Sequence, residues 1–128
     1  MKRYLLPLML VLGLTGCAAS STQEMTYWQV TPQEALDMMA REQGYIILDV
    51  RTQEEYDAGH IPGAIVIPNE TIGTEEIDRL PDKNQLILVY CRSGNRSKQA
   101  ADKLVRLGYT NVVEFGGIFD WPGEIVTE

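Results

Sequence analysis

Seven consecutive residues, Cys91-Arg92-Ser93-Gly94-Asn95-Arg96-Ser97, combine a thiol, two guanidinium groups, a glycine and three small polar side chains. A cysteine acts as a nucleophile in its thiolate form, so its surroundings must favour the anion. A tight loop that enters a helix aims several backbone N–H groups at one point and binds negative charge there. Gly94 supplies a position free to take positive φ, and Asn95 tolerates left-handed geometry better than most residues. Amides, helix dipole, Arg92 and Arg96 together favour ionisation of Cys91; comparable sites have pKa values lowered to about 3.5–7.5. The same amides would hold a persulfide anion after the thiolate takes up sulfur. Cys91 is therefore the candidate catalytic residue, and Arg92, Ser93, Gly94, Asn95, Arg96 and Ser97 are the candidate substrate-binding residues. Residues 92–98 hold Arg92, Arg96 and Lys98 and no acid, in a chain of net charge −7. A small positive site in an acidic protein suits a small anion.

Such a loop needs a strand to deliver it and a helix to receive it. Leu86–Tyr90 is a continuous apolar run that leads into Cys91, as expected of a strand buried on both faces. Ser97–Leu107 has a helical pattern, with Ala100, Ala101, Leu104 and Val105 on one side, Ser97 as N-cap and Gly108 at C′. Tyr45–Leu48 is a second buried strand and ends at Asp49. Ile65–Ile67 and Val112–Phe115 are further short strands, the latter broken by Gly116-Gly117, and Tyr27–Val30 is a short edge strand. Thr31-Pro32-Gln33-Glu34 opens a helix with a capping box, followed by an apolar face of Ala35, Leu36, Met39 and Ala40 and a stop at Gly44. Glu54–Ala58 is a short polar helix closed by Gly59. Ile72–Leu80 is expected to form one helical stretch stopped by Pro81. Strands that alternate with helices predict an α/β fold with a mainly parallel central sheet and helices on both faces. Ligands of such sheets bind beyond the carboxyl ends of the strands, where both Asp49 and Cys91 fall.

Residues 1–17 have a different character. Lys2 and Arg3 precede an apolar run from Leu5 to Leu14 and then small residues, the order of a secretory signal. The run is too short to span a bilayer, which takes about 20 apolar residues. Leu14-Thr15-Gly16-Cys17 resembles a bacterial lipobox, which implies lipidation of Cys17 and a membrane anchor. The expected organisation is a signal peptide over 1–16, a lipidated N-terminus and tether over 17–27 and a domain over 28–128. This places the domain at the cell envelope, facing the periplasm or the exterior. Ala18 resembles the corresponding residue of lipoproteins sorted to an outer membrane, where the organism has one. Loss of residues 1–16 removes Lys2 and Arg3 and leaves a net charge of −9. That charge argues against nucleic-acid binding, which needs clustered cations. Two cysteines and one histidine argue against a structural zinc site.

The chain resembles the single-domain rhodaneses, most nearly the small periplasmic thiosulfate sulfurtransferases of the phage-shock type. CRSGNRS at 91–97 is similar to that family's persulfide loop, LDVRTQEEYDAGHIPGAIVIP at 48–68 to its first signature and GGIFDWPG at 116–123 to its closing one. The resemblance implies a thiosulfate sulfurtransferase with no metal or organic cofactor. It implies an anionic sulfur donor such as thiosulfate and an external thiol or cyanide-like acceptor. Related phosphatases and arsenate reductases have five residues between Cys and Arg; here four separate Cys91 from Arg96, which favours sulfur over a tetrahedral oxyanion. A non-catalytic sulfur-binding module is the third alternative. Asp49 and Arg51 match the family's Asp-x-Arg and are expected to be scaffold: Asp49 would brace Arg96 or loop amides, and Arg51 would pair with Glu55 or nearby acids. His60 is expected to make a structural hydrogen bond rather than act as a base. Trp28 and Trp121 are expected in the core or a lid.

Overall fold

The computed structural model describes residues 26–128. The signal peptide expected over 1–16 and the lipidation expected at Cys17 lie outside the described residues. Strands β1 (Trp28–Gln29), β2 (Ile46–Asp49), β3 (Ile65–Val66), β4 (Ile87–Cys91) and β5 (Val112–Gly117) form one sheet in the order β1-β5-β4-β2-β3. Every pairing is parallel. Helices α1 (Pro32–Arg41), α2 (Gln53–Ala58) and α3 (Asn95–Arg106) connect them.

Strand periodicity divides the interior in two. Leu48 and Val50, Ile87, Val89 and Cys91, and Val112 face Ala100, Ala101 and Leu104 of α3. Ile47, Leu88 and Tyr90, Val113 and Phe115 face the opposite side, against Ala35, Met38 and Met39 of α1. Successive side chains point to opposite faces of a strand, so β4, the central strand, needs apolar residues throughout. The predicted arrangement of helices on both faces follows from this.

Helix α1 begins as its sequence requires. The Thr31 hydroxyl accepts from Glu34 N–H at 3.0 Å and the Glu34 carboxylate accepts from Thr31 N–H at 2.8 Å. On its inward face Ala35 is buried and Met38 and Met39 are partly buried, while Ala40 is exposed. Helix α2 carries a second capping box, Thr52 with Glu55. The stretch 72–80 is not a helix. Ile72 and Leu80 are buried as two separate anchors with Ile77 partly buried between them, while Gly73 to Glu76 are exposed. Apolar residues spaced five and then three apart do not make one helical face, and Arg79 ties the segment down by donating to the Val66 carbonyl at 2.8 Å.

Gly116 and Gly117 extend β5 instead of breaking it. Val89 pairs with Glu114 but Cys91 pairs with Gly117, so two steps along β4 match three along β5. This is a β-bulge, with Gly116 at φ +96°.

Candidate active site

Cys91 is the last residue of β4 and its side chain points to the α3 side of the sheet. Gly94, at φ +111°, turns the chain so that its N–H donates to Cys91 Sγ at 3.0 Å. The thiol is 1% exposed. Burial pushes its pKa up, but contacts with the Ser97 side chain and hydrogen bonds from the Ser97, Gly94 and Ser93 amides oppose that, and the net shift is downward. The loop amides converge on the sulfur, and the Arg96 charge is coupled to it.

Helix α3 starts at Asn95 with Gly94 as N-cap, three residues earlier than the Ser97 cap expected. Ser97 instead occupies the third helical position and is fully buried. Its Oγ lies 3.4 Å from Cys91 Sγ, 3.0 Å from the Gly94 carbonyl and 2.5 Å from Glu114 Oε2. Ser93 and Asn95 are exposed on the outer face of the loop.

The two arginines have different environments. Arg96 donates from Nη1 and Nη2 to the two Glu55 oxygens at 2.8 and 3.0 Å, which clamps α3 to α2. This pairing, followed by opposing burial and by hydrogen bonds from Thr52, lowers the Glu55 pKa to about 2. Arg92 is exposed, with its guanidinium 5.1 Å from the Phe119 ring. Arg92 is therefore the loop guanidinium with its charge open to solvent.

Arg51 pairs with a nearby acid as expected, and that acid is Asp49. Asp49 does not reach Arg96, and Arg51 does not reach Glu55. They pair with each other: Arg51 Nη2 donates to Asp49 Oδ2 at 2.6 Å and Nε donates to Oδ1 at 2.9 Å. Tyr90 OH also donates to Asp49 Oδ2 at 2.6 Å, and Arg51 Nη2 donates to the Gly59 carbonyl at 2.7 Å. Burial and the adjacent Asp49 carboxylate raise the Tyr90 pKa. All these groups sit on the far side of β4 from the thiol, so the pair is scaffold. His60 is 2% exposed, with Nδ1 2.8 Å from the Tyr56 carbonyl and its ring stacked on Tyr56, a structural setting as expected. Trp121 packs on Phe115, whereas Trp28 is 57% exposed and belongs to neither core nor lid. An edge strand of two residues leaves it nothing to pack under.

Two features of the site escaped sequence reading. Glu114 is 2% exposed, and an acid within a short apolar strand gives no local sign of that burial. A Cβ on Gly117 would stand 1.9 Å from the Arg92 carbonyl oxygen, so the loop lies directly on β5 there. Among the described residues no three His, Cys, Asp or Glu side chains form a metal-ligand cluster.

A parallel α/β domain that presents a buried cysteine to a ring of amides between strand and helix defines a class of cysteine-dependent transfer proteins. The rhodanese-like domain profile matches residues 31–124, and the chain belongs to that family. It is 41% identical over 73 residues to thiosulfate sulfurtransferase PspE of Escherichia coli (strain K12), covering 57% of this chain and 70% of that protein. It is 35% identical over 101 residues to thiosulfate sulfurtransferase GlpE of Pseudomonas entomophila, covering 75% and 89%. Among solved structures, a rhodanese with anions from E. coli is similar with TM-score 0.60 and 39% identity, covering 66% of this chain and 99% of that one. The rhodanese-like domain of an Anabaena protein is similar with TM-score 0.69 and 29% identity, covering 78% and 79%.

Proposed function

We propose that this enzyme moves a sulfane sulfur from thiosulfate, or a similar anionic donor, to a thiophilic acceptor through a persulfide on Cys91. The observation that carries this is the Gly94 N–H pointing at Cys91 Sγ from 3.0 Å at the carboxyl end of β4. In the first step the Cys91 thiolate attacks the outer sulfur of thiosulfate. A new S–S bond forms, the donor's S–S bond breaks, and sulfite leaves with the bonding pair. The persulfide carries the negative charge on its terminal sulfur, within reach of the loop amides. In the second step an acceptor such as cyanide attacks that terminal sulfur, the Sγ–S bond breaks, and the Cys91 thiolate returns as thiocyanate leaves. The acceptor is external, because Cys91 is the one free cysteine among the described residues. Arg92, exposed in an acidic protein, draws the anionic donor to the loop. Phosphatase or arsenate reductase chemistry is disfavoured, because both terminal nitrogens of Arg96 are engaged by Glu55, leaving no free fork for a tetrahedral oxyanion.

The proposal extends to location: a lipid on Cys17 and a tether over 18–27 hold the domain at the cell envelope, supported by the pattern of residues 1–17. Thiocyanate production from thiosulfate and cyanide tests the activity. It is expected in the native protein and absent in Cys91→Ser; activity that survives this substitution would overturn the assignment.

A further inference from the structure

Glu114 is a buried acid that the transfer reaction leaves unused. It sits on β5 on the same side as Cys91, opposite Val89, at 2% exposure. Among the described residues no lysine or arginine pairs with it. Oε2 accepts from Gly116 N–H at 2.9 Å and from Ser97 Oγ at 2.5 Å, and Oε1 accepts from Gln29 Nε2 at 3.4 Å. The bulge of β5 makes this possible, because it turns the Gly116 amide back towards the Glu114 side chain.

A serine hydroxyl has one proton to donate. At 2.5 Å the Ser97–Glu114 contact has the length of a charge-assisted O–H···O⁻ bond, while the sulfur is 3.4 Å from the same oxygen. We propose that Glu114 sets the reactivity of Cys91 by capturing the Ser97 proton and denying it to the sulfur. Cys91 then meets lone pairs on Ser97, and an S–H can donate to them. As a thiolate it is left with the amides and the Arg96 charge, and faces a second buried negative charge nearby. The carboxylate thus limits a thiolate stabilisation that the loop would otherwise carry further. Glu114 acts through Ser97 and is a positioning residue rather than a catalytic one. The charged and titratable groups around this pair are Arg96 on α3, coupled to Cys91, and Tyr27, just before β1, coupled to Glu114 and to Asp102 on α3. Burial first, then the Glu114 charge, then Asp102 raise the Tyr27 phenol pKa.

The consequence for transfer rests on the persulfide reading. A more basic thiolate is a better nucleophile but a poorer leaving group, so Glu114 favours loading of sulfur over its discharge. The titration of the thiol does not rest on that reading and tests the inference separately. Iodoacetamide labelling of the Cys91 peptide, followed against pH in the full chain, gives the thiol midpoint. Glu114→Gln is expected to lower that midpoint by about one pH unit and to slow attack at the plateau about threefold. A midpoint that is unchanged or raised would overturn the proposal; a purely structural Glu114 would lower the melting temperature and leave the midpoint in place. Ser97→Ala provides a second reading if Glu114→Gln folds poorly. In the native background it is expected to leave the midpoint where it is; a rise there would show that Ser97 donates to sulfur and would contradict the account. In the Glu114→Gln background, where no charge holds the Ser97 proton, Ser97→Ala is expected to raise the midpoint again, a non-additive pair.

Discussion

Glu55 makes two contacts from one carboxylate. It caps α2 through Thr52 and receives the Arg96 fork, so the loop after β4 is tied to the loop after β2. Its folded pKa of about 2 lies below the ordinary carboxylate value. The sign follows from linkage: the ionised form is favoured by folding, so this stability is complete above about pH 4.5 and fades as pH falls towards about 2. Glu55→Gln removes it, so the difference in urea midpoint between native and variant protein is expected to be constant above about pH 5 and to shrink below it. A difference independent of pH would mean that the ion pair contributes nothing. The sequence made Cys91, the loop and the structural role of His60 legible, because each depends on residue type at a local spacing. It did not reveal that Arg96 pairs with Glu55 while Asp49 pairs with Arg51. Four charges at separate places along the chain allow several pairings, and the choice depends on which side of β4 each side chain emerges.

The strands and helices show the same division between local and long-range information. The capping box of α1 and the apolar runs of β2 and β4 were readable because local chemistry fixes them. The start of α3 was not. Ser97 has the chemistry of an N-cap, but the turn at Gly94 closes early because its N–H is drawn to the sulfur, and the serine is freed to face Glu114. The non-helical stretch 72–80 was misread for a related reason: its apolar residues are spaced for anchoring a crossover segment, and a pattern of only three does not reveal that. Gly117 is where two elements meet most closely. Its Cα lies against the backbone of Arg92, and a Cβ would fall 1.9 Å from a carbonyl oxygen that cannot rotate away. Gly117→Ala is expected to push the loop off β5, raise the pKa of Cys91 towards that of a free thiol, and cut sulfur transfer by at least about tenfold. The alkylation profile and thiocyanate assay would show both effects together; a native profile in a folded Gly117→Ala protein would mean that the loop does not depend on this contact.

At the scale of the whole molecule, charge and anchoring have separate roles. The chain's net charge of −7, which becomes −9 with the proposed removal of residues 1–16, repels anionic lipid as well as anionic donors. The covalent lipid proposed at Cys17 would therefore have to hold the protein on its membrane, while the exposed Arg92 provides a local exception for the substrate. Cys17→Ala is expected to move the protein from the membrane fraction to the soluble envelope fraction with the domain's activity per molecule unchanged. Retention on the membrane would point to an anchor other than lipid. The parallel sheet gives the reaction its place in the fold. The Cys91 thiol emerges at the carboxyl end of the central strand, where the amides of the incoming helix converge.

Intact-mass and peptide mass spectrometry after incubation with thiosulfate, in the absence of any acceptor, tests the central claim most directly. The account predicts one added sulfur on the peptide that contains Cys91, released on addition of cyanide. A protein that turns over thiosulfate with no sulfur on Cys91, or with the sulfur on another residue, would contradict it.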